Sequence, residues 1–459
     1  MAHRFDPSLL REYDMRGIVG RTLGEADAHA LGRSFGTIVR RGGGAGVAVG
    51  YDGRLSSPQL ESALVAGLVE SGVQVLRIGL GPTPMLYYAE AVLQVDGGIQ
   101  VTGSHNPGDH NGFKLVHQHS PFFGEDIQRL GAMAATGDWL EGQGRVERVD
   151  ILDRYAARLV QGFDGAAYRI AWDAGNGAAG PVVEELAKLL PGEHHLLFTD
   201  VDGHFPHHHP DPSEERNLAD LRAVVADKKL DFGVAFDGDG DRIGVVDAKG
   251  RILWGDQILA ILVEPVLRDR PGASIVADVK TSRMVFDRIT ALGGDPVMWK
   301  TGHSHIKSRM KQIGSPLGGE MTGHLFFADD YYGFDDGLYA AVRLIRAATR
   351  LGRSVTALRD ELPDLFNTPE LRFPVPEQRK FAVMEEVRAR LLASGEDVDM
   401  TDGVRVTTEA GWWLLRASHT QAMLVARAEG HSPQALATLV ARIESCLADS
   451  AIRMGDPVD

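Results

Sequence analysis

The sequence predicts an α/β protein of four parts: three similar α/β domains with mixed sheets and a smaller C-terminal α+β domain around a shared cleft. Three observations predict it. Apolar strand-like runs alternate with helical patterns through most of the chain, the pattern of α/β domains. One strand-to-loop plan recurs three times. The last ninety residues follow a different plan.

The recurrence lies in GVAVGYDGRLSSP (46–58), YRIAWDAGNGAAG (168–180) and ASIVADVKTSRMV (273–285). Each is a short apolar strand ending near an aspartate (Asp52, Asp173 or Asp278), then a small or polar turn opening into a helix. Each is followed by a second apolar strand that runs into a polar loop: VTGSHNP (101–107), VAFDGDGDR (234–242) and GGEMTGH (318–324). Strand–loop pairs repeated in this way predict three domains that each donate one loop to a common cleft. The spacings are unequal, so the repeat is one of domains and not a solenoid. The boundaries read as 1–150, 151–254, 255–367 and 368–459.

The C-terminal part begins after a proline-rich stretch from Leu362 to Pro376, which reads as a linker. A helical stretch at Phe381–Ala393 follows, then strand-like runs around Val404–Val406, Trp412–Leu415 and Ala422–Ala428. Ser432 and Pro433 are an N-cap and a first-turn proline for the last helix. The loop RASHT (416–420) is the fourth polar loop.

At 459 residues the chain is too long for one core, and 44% hydrophobic with 24% charged residues is globular composition. A net charge of −15 argues against nucleic acid or an anionic membrane as partner. The one cysteine, Cys446, permits no intramolecular disulfide and reads as a buried thiol. The opening MAHRFDPSLLREYDMRG has no apolar signal-type region, and no apolar run is long enough to span a bilayer. These features predict a cytoplasmic enzyme or binding protein with small-molecule ligands; a monomer is expected, with an oligomer as the alternative.

In DGDGDR, Asp237, Asp239 and Asp241 alternate with glycine after the apolar run FGVAF. Three carboxylates on a tight loop suit one hard divalent cation, most naturally Mg²⁺. A solvated Asp-Gly turn is the bland alternative. An EF-hand is excluded, because Arg242 and Ala248 stand where that loop needs glycine and glutamate. In VTGSHNP, Ser104 lacks the glycines of a hydrolase elbow, since Thr102 and Asn106 hold those places. His105, its neighbour in sequence, is expected to point elsewhere. Ser104 is therefore either an ordinary turn serine or a phosphate carrier, which needs a cation and donors in place of a strong base. Lys114, in NGFKL, is a candidate for charge neutralisation or general acid/base work.

GEMTGH offers Glu320, Thr322 and His324, an acceptor and donors suited to neighbouring sugar hydroxyls or to any polar turn. RASHT offers Arg416, Ser418 and Thr420, a guanidinium and two hydroxyls that suit a phosphate dianion; the alternative for Arg416 is a surface salt bridge. The run PHHHP (206–210) reads as an extended surface loop with its histidines pointing in different directions, in preference to a metal site.

These four loops, in this order, resemble the α-D-phosphohexomutase superfamily, and within it the bacterial phosphomannomutase/phosphoglucomutase group. The resemblance runs from REYDMRG (11–17) to RASHT. It implies a four-domain protein in which Ser104 carries phosphate and Asp237, Asp239 and Asp241 bind Mg²⁺ together with an oxygen on Ser104. It implies Glu320, Thr322 and His324 on sugar hydroxyls, and Arg416, Ser418 and Thr420 on the non-reacting phosphate. Tyr13, Arg16, Lys114, Arg242, Lys280 and His303 match positions lining the family's cleft, with Lys114 and His303 as candidates for proton transfer.

The implied activity interconverts hexose 1-phosphate and hexose 6-phosphate, of mannose or glucose, through a hexose 1,6-bisphosphate that also serves as activator. A sugar-phosphate phosphatase or a non-catalytic sensor on the same fold is the alternative. Met321 stands where phosphoglucosamine mutases have Gln, which disfavours an amino sugar. Thr322 replaces a usual Ser. His419, Gln421 and Ala422 depart from Asn, Thr and Pro in the phosphate loop, and Tyr51 replaces an Arg before Asp52.

Overall fold

The computed structural model describes residues 2–418 and 422–452. Its strands form four sheets. In the first, the central strand Gly46–Tyr51 lies between the parallel strands Gln74–Leu80 and Gly97–Val101. After Val101 the chain turns through the serine loop and returns antiparallel as His110–His117. The second sheet repeats the plan: Tyr168–Asp173 is central, Gly192–Leu197 and Phe232–Phe236 are its parallel neighbours, and Ile243–Asp247 returns antiparallel after the acidic loop. In the third, Ser274–Asp278 is flanked in parallel by Asp295–Trp299 and Leu317–Gly319, and Leu325–Phe327 returns antiparallel after GEMTGH.

The three polar loops therefore occupy one topological position, between a parallel strand and its antiparallel return. The mixed sheets and the threefold plan expected from the sequence are both present. Gly97–Val101, Phe232–Phe236 and Ile243–Asp247 are buried at every residue. This is why they read as continuous apolar runs: strands buried on both faces show no alternation.

The fourth sheet is antiparallel throughout, in the order Phe366–Asn367, Met423–Gly430, Gly411–Ala417, Val404–Thr408, Val398–Asp399. Two helices accompany it, Glu377–Ala393 and Pro433–Ala448. Ser432 caps the latter by accepting the Ala435 amide at 3.1 Å. The proline-rich stretch is not simply a linker, because Phe366–Asn367 and Leu371–Pro374 both pair with Met423–Gly430. Proline is tolerated there because Leu371–Pro374 pairs on one side only and Pro374 is its last residue.

One apolar cluster joins the first three domains, running from Met85 and Tyr87 through Trp172 and Phe236 to Leu259 and Leu344. The fourth domain has its own core around Trp413 and Leu447, and Cys446 is buried in it. No helix among the described residues is long and apolar enough to cross a membrane.

Candidate active site

Ser104 is 1% exposed and adopts φ +48°, the left-handed region. Its amide donates to Thr102 Oγ1 at 2.8 Å, and Thr102 Oγ1 in turn donates to Asp52 Oδ2 at 2.8 Å. Asp52 also accepts the Gly103 amide at 3.1 Å, so the strand-end aspartate of the first domain fixes the start of the loop. Ser104 Oγ donates to Asp237 Oδ2 at 2.8 Å, across the junction with the second domain. The approach is close: a Cβ on Gly238 would lie 2.5 Å from the Ser104 carbonyl oxygen, so only glycine fits. Contrary to expectation, the His105 ring does not point away. Its Nδ1 lies 3.2 Å from Ser104 Oγ, because the left-handed turn at Ser104 folds the next side chain back over the hydroxyl. Burial, with Arg242 and Arg16 nearby, holds this imidazole well below its ordinary pKa and hence neutral.

Asp237, Asp239 and Asp241 are fully buried, and one oxygen from each lies within 4.8 Å of the others. Burial and the two neighbouring carboxylates push Asp237 well above the usual carboxylate range. For Asp241 burial acts in the same direction, but Lys114 and His324 outweigh it and hold the group well below. Lys114 Nζ donates to Asp239 Oδ2 at 2.7 Å and to Asp241. Burial alone would lower the pKa of this amine; the two aspartates raise it, so it stays an ammonium. Asp239 Oδ1 is buried without a hydrogen-bond partner among the described residues. An all-oxygen set with an unpartnered carboxylate oxygen fits a hard divalent cation.

The third loop is tied to the second. Glu320 Oε2 is 2.9 Å from His324 Nδ1, and His324 Nε2 is 3.2 Å from Asp241 Oδ1. Burial works against the charge on both groups, yet their mutual attraction holds Glu320 at about 2 and, with Asp241, raises His324 to about 9. Arg242 Nε lies 3.3 Å from His324 Nε2, and its amide donates to Asp237 Oδ1 at 3.1 Å. Glu320 Oε1 accepts the Gly302 amide at 2.6 Å, just before the helix His303–Ile313. His303 is 8% exposed, and neither ring nitrogen has a hydrogen-bond partner among the described residues. Burial, Lys307 and Lys114 keep it neutral. Tyr13 Oη donates to the Thr301 carbonyl at 2.9 Å, and its ring meets that of His303 edge-on at 6.3 Å. Arg16 binds Asp14 at 2.8 Å and reaches Asn106 of the serine loop at 3.5 Å.

Lys280, Met321 and Arg416 line one pocket between the third and fourth domains. Arg416 Nε donates to Asp402 Oδ2 at 3.0 Å, while its buried Nη2 has no partner among the described residues. Ser418 is held by its backbone, its amide donating to Met423 O at 3.0 Å. Thr322 is half-buried in its loop. Thr420, with His419 and Gln421, lies outside the described residues.

Models of four phosphoglucomutase/phosphomannomutase domains match in succession: α/β/α domain I over residues 7–139, domain II over 153–250, domain III over 254–366, and the C-terminal domain over 370–445. The chain belongs to the phosphoglucomutase/phosphomannomutase family. A phosphomannomutase/phosphoglucomutase of Pseudomonas putida is 45% identical over 93% of this chain and 92% of its own length. A phosphoglucomutase of Neisseria gonorrhoeae is 41% identical over 96% of each. The crystal structure of a phosphoglucomutase/phosphomannomutase family protein from Burkholderia thailandensis superposes with a TM-score of 0.92, at 41% identity, over 97% of this chain and 98% of that one.

Two residues absent from the sequence-based site touch this family's serine loop: Arg54 and His209, whose contacts run to backbone carbonyls. PHHHP is accordingly more than a surface loop. His207 bonds Asn176, His208 bonds Asp173 and His209 bonds the His105 carbonyl. The only sequence signal was the run itself.

Proposed function

We propose that the protein is a phosphohexomutase that interconverts hexose 1-phosphate and hexose 6-phosphate by way of phosphoserine at Ser104. The observation that carries this reading is the bond of Ser104 Oγ to Asp237, the first of three converging buried aspartates. A hydroxyl held against an acidic metal-type site, with Lys114 and Arg242 beside it, suits phosphoryl transfer, where charge neutralisation and positioning dominate.

Asp237, Asp239 and Asp241 would hold Mg²⁺ with an oxygen of the phosphorylated Ser104, and the ion would supply charge neutralisation to the phosphoryl group. The chain's own residues do the rest. The bond from phosphorus to Ser104 Oγ breaks as a bond to the sugar hydroxyl oxygen forms, and the hydroxyl proton needs an acceptor. His303 suits that task better than Lys114, because burial favours its neutral form and neither ring nitrogen is hydrogen-bonded among the described residues, Nδ1 lying 3.7 Å from Asp335. Lys114 stays charged between two carboxylates. The resulting hexose 1,6-bisphosphate turns over in the cleft, and its other phosphate returns to Ser104. Glu320, Thr322 and His324 take the sugar hydroxyls. Arg416, Ser418 and Thr420 take the phosphate that does not react, and Tyr13, Arg16 and Lys280 line the path between.

Both glucose and mannose phosphates are proposed substrates, in keeping with the names of the relatives. Every group named comes from one chain, so a monomer suffices for this reaction. The test is incubation with glucose 1-phosphate, Mg²⁺ and a trace of glucose 1,6-bisphosphate, measuring glucose 6-phosphate and free phosphate. The mutase yields the first with little of the second. Free phosphate alone would mean a phosphatase, and binding without turnover a sensor. Mannose 1-phosphate in the same assay addresses the sugar.

A further inference from the structure

Each carbonyl of residues 103–107 in the serine loop accepts a hydrogen bond. Gly103 O accepts the Asn106 amide at 2.9 Å. Arg54 takes three of the others: Nη2 donates to Ser104 O at 2.8 Å and Asn106 O at 2.5 Å, and Nη1 to Pro107 O at 2.6 Å. Nη1 also reaches His110 O at 2.8 Å, where the loop rejoins the sheet. The remaining carbonyl, His105 O, accepts from His209 Nε2 at 2.5 Å; a carbonyl only accepts, so that nitrogen carries the hydrogen. Arg54 itself is 1% exposed, directly beneath the loop: a Cβ on Gly103 would lie 2.4 Å from its Nε.

Arg54 belongs to the first domain and His209 to the second. The segment carrying His209 is itself anchored. His208 Nε2 is 3.0 Å from Asp173 Oδ2, at the end of the second domain's central strand, and its Nδ1 is 3.0 Å from the His209 carbonyl. Both partners are acceptors, so both ring nitrogens carry hydrogens and His208 is an imidazolium. Phe205, from the same segment, covers the Arg54 guanidinium at 5.5 Å.

We propose that Arg54 and His209 are positioning residues for phosphoryl transfer, holding the Ser104 loop by its carbonyls from two domains. Two physical consequences follow. The negative ends of the carbonyl dipoles of Ser104, Asn106 and Pro107 are neutralised by a buried cation. The left-handed conformation of Ser104, which a non-glycine residue adopts only at a cost, is held in place by its surroundings. PHHHP thereby acquires a use: a strut from the strand end at Asp173 to the loop of the reacting serine. This rests on Ser104 as the phosphate carrier.

The test uses His209→Ala, His209→Gln and Arg54→Lys in the full-length protein with Mg²⁺. Each is measured for turnover of glucose 1-phosphate, free phosphate released per turnover, melting temperature, and hydrogen–deuterium exchange of peptides covering residues 101–110. His209 is half-buried, so its alanine variant is expected to fold, and the melting temperature checks this. For His209→Ala, loss of one hydrogen bond predicts exchange in that segment about tenfold faster and kcat about tenfold lower, with KM within about threefold. Free phosphate per turnover rises as water reaches the loosened site. Glutamine, which retains a donor, restores most of kcat. Arg54→Lys, with one point charge in place of a fork, loses about 100-fold in kcat. Exchange in 101–110 and kcat both at wild-type values in folded His209→Ala would overturn the proposal. Failure of the mutase reading looks different: the wild type itself would not turn over, while the exchange data would still decide whether His209 holds the loop.

Discussion

The junctions among the first three domains and the junction with the fourth are built from different physics. Domains one to three share a continuous apolar cluster, in which Tyr87, Trp172 and Leu344 come from three different sheets' surroundings. The fourth domain meets the third through a small apolar contact of Val279 with Trp412 and Leu414. Beside it lie arginine hydrogen bonds to backbone: Arg405 Nη1 donates to Val279 O at 2.7 Å and Thr281 O at 3.0 Å, and Arg427 Nη1 to Lys280 O at 2.8 Å. Apolar contact is lost in proportion to the area exposed, whereas water replaces most of a hydrogen bond. The first junction is thus the more apolar and the second the more polar. The loops with Ser104, the aspartates and Glu320 sit on the apolar side, and the loop with Arg416 on the polar side.

The largest expected effect is on the apolar side. Ser104→Ala lowers kcat by at least about 1,000-fold, since it removes the hydroxyl held against Asp237. Residual turnover within tenfold of wild type would reject Ser104. Next comes the shared core: Leu344→Ala costs about 2–5 kcal/mol in chemical denaturation, with the first three domains unfolding together. A separate transition for one of the three would show that the shared cluster does not unite them. On the polar side, Arg416→Ala raises KM for glucose 1-phosphate about 10- to 100-fold with a smaller change in kcat, as lost phosphate binding requires. A pure kcat effect would place Arg416 in the chemistry instead.

The smallest effect concerns pH. Asp336, in the shared junction, accepts from Tyr155 Oη and Tyr331 Oη at 2.8 Å each, and burial pushes it up to about 7. The folded state therefore holds this proton more tightly than the unfolded chain, where the group titrates near 3.8. Its contribution to stability is full below about pH 4 and falls as pH rises through about 7. Asp336→Asn removes that titration, so the variant gains on the wild type between pH 5 and pH 8. Parallel melting-temperature profiles across that range would show that Asp336 does not titrate there.

Much of this was legible in the sequence because the informative signals are local. An apolar run followed by DGDGDR or TGSHNP places a strand and its loop together, and the threefold strand–Asp–turn plan gave the domain architecture. Contacts between a side chain and a distant backbone leave no such trace. Arg54 reads as an ordinary turn arginine in DGRLSS, yet its partners are carbonyls about fifty residues further on. His209 reads as part of a solvated histidine run for the same reason. The position of the His105 ring depends on the positive φ of Ser104, which no residue type announces. The proline-rich stretch misled because proline marks an edge strand as readily as a linker.

In the proposed reaction Ser104 carries phosphate to and from the sugar. Mass spectrometry of the tryptic peptide containing Ser104 tests it most directly, after incubation with glucose 1,6-bisphosphate and Mg²⁺ and again after a chase with glucose 6-phosphate. One phosphate is expected on Ser104 after the first step, and its loss, as bisphosphate and not as free phosphate, after the second. A protein that turns over glucose 1-phosphate while Ser104 is never phosphorylated would contradict it.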